Sequence, residues 1–146
     1  MTLIFLLNVA ATLFMTGVIW FVQVVHYPLF AGVGVEGFAA YEARHSNLTT
    51  YIVIVPMFVE LVTALLLVWR RPPELAVWEV WVGLGLVGII WLSTAFLQVP
   101  QHTALGAGFD LAAHATLVTT NWLRTAAWTL RSVLVLWWVA RLLRFT

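Results

Sequence analysis

Residues Leu48 to Trp69 read LTTYIVIVPMFVELVTALLLVW, 22 residues that carry a single charge, Glu60. As a helix this stretch rises about 33 Å, enough to cross the roughly 30 Å of a bilayer's hydrocarbon. Three more runs of that kind flank it, at Leu3 to His26, about Val77 to Val99 and about Ala113 to Ala140. Only helices and closed barrels satisfy their backbone groups in lipid, and four long apolar runs mean helices. The composition agrees: of 146 residues 63% are hydrophobic and 9% charged, against about a quarter charged in soluble domains. The fold class expected is therefore all-α, one integral membrane four-helix bundle spanning residues 1–146. The first run does not read as a cleaved signal peptide, since it lacks a basic start and a small-residue cleavage site.

The residue counts also exclude chemistry. There is no cysteine, so disulfides, thiolate metal sites and cysteine nucleophiles are out. There is no lysine, and all seven cations are arginines. A net charge of +1 gives no reason to expect nucleic acid. Arg70 and Arg71 follow the second run, and Arg141 and Arg144 follow the fourth, whereas the other two connections hold only Arg44. By the positive-inside rule both termini are expected in the cytoplasm, with the protein multi-pass in a bacterial cytoplasmic (inner) membrane.

Each helical residue turns about 100°, which sorts the polar residues onto faces. Asn8, Thr12, Thr16, Gln23 and His26 share an arc of the first run, and His45, Thr49, Pro56, Glu60 and Thr63 one of the second. Thr94, Gln98 and Gln101 align on the third, and His114, Asn121, Thr125 and Ser132 on the fourth. Such groups cost several kcal/mol each in lipid without partners. The four stripes are therefore expected to face one another, as hydrogen-bonding glue or as a site.

One histidine stands at the same end of each run: His26, His45, His102 and His114. Imidazole suits iron, copper, zinc and haem iron, and bundles build metal sites from facing helices. All four are candidate metal ligands, with His26, His45 and His114 on inward stripes and His102 in a loop after Pro100. Gln23 and Gln98 are candidate cofactor-binding residues, and Gln101, Tyr41, Glu42 and Asn121 could also orient the rings. Glu60 pairs by depth with Arg131, while Arg124 lies nearer the histidines, free for an anionic or phenolate group, a haem propionate or Glu60.

Two stretches carry a family resemblance. Gln98-Val-Pro-Gln-His-Thr-Ala-Leu105, followed by Asn121-Trp-Leu-Arg-Thr-Ala-Ala127, resembles the anthrone-oxygenase-like family of small four-span membrane proteins. That family has a similar Val-Pro-x-x-x-x-Leu after its third span and Asn-x-x-Arg-Thr in its fourth. The resemblance implies a four-helix membrane fold and oxygenation of a polycyclic phenolic substrate, with Asn121 and Arg124 at functional positions. The chain departs from the pattern in its extra histidines, which favours a metal-dependent variant.

The function expected is a small membrane oxidoreductase, oxygenase-like, acting on an apolar molecule. Asn121, Arg124 and Glu60 are its candidate catalytic residues, and a transition metal (copper, iron or zinc) or haem b its cofactor. The alternatives are a haem- or pigment-binding subunit and a non-catalytic accessory subunit of a larger membrane complex. The partners expected are the lipid bilayer, a small apolar molecule, and a second copy of the chain or other membrane subunits, with no nucleic acid.

Overall fold

In the computed structural model, which describes residues 2–144, four helices follow one another: α1 Thr2–Gly32, α2 Phe38–Trp69, α3 Val77–Leu105 and α4 Leu111–Leu143. Each is long and apolar enough to cross a membrane. Each packs on its chain neighbours, and α4 closes the ring against α1. Leu3, Phe21, Val55, Phe96 and Val133 point outward, an apolar surface suited to lipid rather than water.

Three apolar layers fill the interior. Phe5, Leu67, Leu75, Val80, Val135 and Trp138 pack at the end holding the start of α1 and the end of α4. Met15, Ile19, Met57, Ile90, Ala127 and Trp128 fill the middle. Tyr27, Phe30, Phe38, Leu105 and Leu117 close the far end, which holds the histidines.

Helix starts follow local chemistry. The Asp110 side chain accepts from the Ala113 N–H at 2.6 Å and caps α4. Glu79 accepts from the Ala76 N–H at 2.9 Å at the start of α3, and the same carboxylate takes Arg141 from the end of α4 at 2.7 Å. Gly34, at φ +86°, turns the connection after α1 in the left-handed region that favours glycine.

Two helices run well past the ends that the sequence suggests. The spans expected to end at His26 and Val99 continue to Gly32 and Leu105. A proline in a helix lacks an N–H and presses on the carbonyl four residues back. Directly before Pro28 and Pro100 the helix widens into a π turn, at Val22–His26 and Thr94–Gln98. The Tyr27 N–H reaches Val22 O, and the Val99 N–H reaches Thr94 O. The extra residue in each turn lets the helix pass its proline. His102 thus lies in a helix rather than the loop expected for it.

Candidate metal centre and cavity

The polar stripes meet inside the bundle at three levels. At the deepest, Glu60 accepts from Arg131 Nε and Thr12 Oγ1, both at 2.7 Å, and from Trp128 Nε1 at 2.9 Å. Arg131 also donates to Gly83 O at 2.7 Å and Asn8 Oδ1 at 3.0 Å. Asn8 donates on to Thr63 at 2.8 Å. This network ties all four helices and satisfies both charges. A Cβ at Gly83 would stand 3.0 Å from Arg131 Nη1, so glycine there admits the guanidinium. Glu60, a candidate catalytic residue from sequence, has both oxygens engaged and lies outside the cavity described below.

The middle level centres on Arg124. Its Nε and Nη2 donate to Asn121 Oδ1 at 2.8 and 2.5 Å, Nη1 to Thr94 Oγ1 at 3.2 Å, and Nη2 to the Tyr27 hydroxyl at 3.3 Å. Asn121 Nδ2 donates to Gln23 Oε1 at 2.8 Å, and Gln23 Nε2 to Val118 O at 3.1 Å. Asn121 and Gln23 thus hold Arg124 in place rather than face the cavity. Gln98 accepts from Ser93 at 3.0 Å and donates to Thr120 at 3.1 Å, with its side chain at the cavity wall.

The third level is the histidine end. His102 stands between two partners: Nδ1 lies 2.6 Å from Glu42 Oε1, and Nε2 lies 2.9 Å from the Tyr27 hydroxyl. With the carboxylate accepting at Nδ1, Nε2 is left to accept from the phenol. Glu42, His102, Tyr27 and Arg124 so form one hydrogen-bonded chain. His45 Nδ1 lies 2.7 Å from His26 Nε2 and 3.2 Å from Thr49 Oγ1. Glu42, His45 and His102 each offer a ligand atom within 4.8 Å of the other two. Glu42 is 1% exposed, and its Oε2 has no hydrogen-bond partner. Among the described residues only Trp138 Nε1 shares that condition. A buried carboxylate oxygen left bare calls for an explanation, and a role as a metal ligand is one.

The structure does not bring His114 into this group. Its Nε2 donates to Tyr27 O at 2.8 Å, and its ring packs on Phe30 and Phe109. The inward stripe places the residue correctly around the helix axis, but a carbonyl near the end of α1 takes its nitrogen first. His26 touches the cluster through His45. Glu42 and Tyr27 are the residues that sequence reasoning undervalued. Glu42 and His45 stand three apart, the Glu-x-x-His spacing by which helical bundles present a carboxylate and an imidazole together. Tyr27 left no signal beyond its place beside His26.

Below the cluster lies a cavity of about 390 Å³. Met15, Ile19, Val22, Val53, Met57 and Trp128 give it apolar walls, and Tyr27, His45, Gln98, His102 and Arg124 supply polar points. Its exposed lining residues, Thr50, Val99 and Thr103, belong to α2 and α3, so the mouth opens sideways between those helices. A mostly apolar pocket with a few convergent polar groups is the usual form of a small-molecule site.

Compared with family models, curated proteins and solved structures, the chain shows no match.

Proposed function

We propose that the protein is a multi-pass membrane oxidoreductase, oxygenase-like, which holds a transition metal on Glu42, His45 and His102 and acts on an apolar molecule in the cavity beneath. The observation that carries this reading is the bare, buried Glu42 Oε2 beside two histidines whose ligand atoms lie within 4.8 Å. Two histidines and one carboxylate, with coordination positions left open, form the donor set of non-haem iron(II) oxygenases. Copper and zinc are the other ions that imidazole suits. The ion, when bound, supplies redox and Lewis-acid chemistry.

The chain's own residues do the rest. His26 and Thr49 hold the His45 ring at Nδ1; with an ion in place of the proton on His102 Nδ1, its Nε2–H would donate to the Tyr27 hydroxyl, the outer-shell support that orients metal ligands. The apolar walls exclude water, and the sideways mouth admits a molecule dissolved in lipid. The likeness of residues 98–105 and 121–127 to the anthrone-oxygenase-like family supports the same activity.

The membrane is proposed to be the bacterial cytoplasmic membrane, with both chain ends in the cytoplasm. Support comes from Arg70, Arg71, Arg141 and Arg144 gathering at one end of the bundle, against Arg44 at the other. The histidine centre then lies towards the outer face.

Metal analysis and an absorption spectrum of the protein purified from membranes test the reading. The expected result is about one first-row transition metal per chain and no Soret band. A Soret band would replace this reading with a haem-carrying subunit, and a protein with neither metal nor haem would point to an accessory subunit.

A further inference from the structure

Three arginines are drawn into the bundle. Arg131 is paired with Glu60 at 2.7 Å and Arg141 with Glu79 at 2.7 Å. Arg124, 8% exposed, has no carboxylate within ion-pair distance among the described residues. Its four hydrogen bonds all go to neutral oxygens, on Asn121, Thr94 and Tyr27. A guanidinium has five N–H donors, so one N–H of Nη1 remains uncommitted. The same side chain lines the cavity. A cation at that depth without a counter-charge is costly, and neutral acceptors offset only part of the cost.

We infer that Arg124 is the anchor for the ionised head of a weak acid carried on an apolar body, a carboxylic acid or an acidic phenol, that enters the cavity from the lipid. The charge complementarity selects an anion, and the walls of Met15, Ile19, Val53, Met57 and Trp128 select an apolar body. Depth selects a weak acid. Arg124 lies thirteen residues into α4, about 20 Å along a helix of about 50 Å. A phospholipid phosphate stays at the membrane surface and does not reach it. A permanently ionised head would have to cross hydrocarbon charged, at a cost of several kcal/mol or more. A weak acid crosses protonated, and binding of its anion by the guanidinium returns the proton to bulk solvent. The inference rests on reading this cavity as the substrate site, but it does not require the metal.

The test is calorimetric titration of the purified protein in lipid nanodiscs, both as isolated and after stripping with a chelator. The probes are naphthoic acid, its methyl ester and naphthalenesulfonate. Naphthoate is expected to bind once per chain, with or without metal, at least about tenfold tighter than the ester, since hydrogen bonds to a charged group favour the ionised head. Arg124→Gln should abolish that preference, and Arg124→Lys should retain part of it, with helix content by circular dichroism unchanged in both. Equal binding of acid and ester would overturn the inference, as would a preference that survives in Arg124→Gln. If Arg124→Gln fails to fold, the acid-to-ester ratio in the unaltered protein decides alone. Sulfonate binding as fast as naphthoate, read from the time course of the heat, would overturn the weak-acid route. Loss of naphthoate preference only on metal stripping would move the anion to the metal and overturn the role of Arg124. A protein that is already free of metal as isolated, before any chelator, and shows the preference would defeat the metal reading and leave this one standing.

Discussion

At the scale of single residues, the interior separates charges that hold the bundle from charges left for a ligand. Glu60 and Arg131, each 1% exposed, are paired with each other and bonded to neighbours from four helices, so removing one partner strands the other. Glu60→Gln is expected to cost about 3–5 kcal/mol, the usual result of breaking a buried pair. Thermal unfolding in detergent checks this, and an unchanged midpoint would contradict it. The pair was legible in the sequence, because helix rise fixes depth and both residues stand at similar distances from a tryptophan boundary. Glu42 was not legible as a ligand. From sequence it reads as a residue that could orient the imidazoles, and only the packed bundle shows that its carboxylate is enclosed with one oxygen bare.

At the scale of helices, the decisive feature is the pair of π turns before Pro28 and Pro100. An inserted residue turns everything after it by about 100° relative to a plain α-helix. In α1 this sets His26 and Tyr27, and in α3 it sets His102, towards Glu42 and His45. The turns also explain why the sequence reading stops short: proline ordinarily marks a helix end, and nothing in residue order announces a widened turn that spares it. π turns are frequent at functional sites for this reason. Deleting Leu97 from the second turn should leave helix content within a few per cent of the parent while rotating His102 off the Tyr27–Glu42 line. Circular dichroism with metal analysis of that variant reads both effects. A variant that keeps its metal would show that the turn does not set the centre.

At the scale of the whole molecule, periodicity alone reveals four inward polar stripes, since lipid leaves them nowhere else to go. What it leaves open is height. Helices slide along one another until side chains fit, so His114, on the right face of α4, meets the Tyr27 carbonyl, while His102, expected to stand apart, falls at the centre. Orientation in the membrane rests on arginine placement alone. A cysteine placed in residues 106–108 should react with an impermeant reagent on intact cells, and one in residues 70–73 should not; the reverse pattern would invert the protein. Metal content per chain, in matched preparations of the unaltered protein, Glu42→Gln, His45→Ala and His114→Ala, tests the Glu42–His45–His102 centre most directly. About one metal per chain is expected in the first and in His114→Ala. At least about a tenfold loss is expected in Glu42→Gln and His45→Ala, since even outer-shell partners cost about 10–100-fold when removed. Metal kept in Glu42→Gln, or lost only with His114, would contradict it.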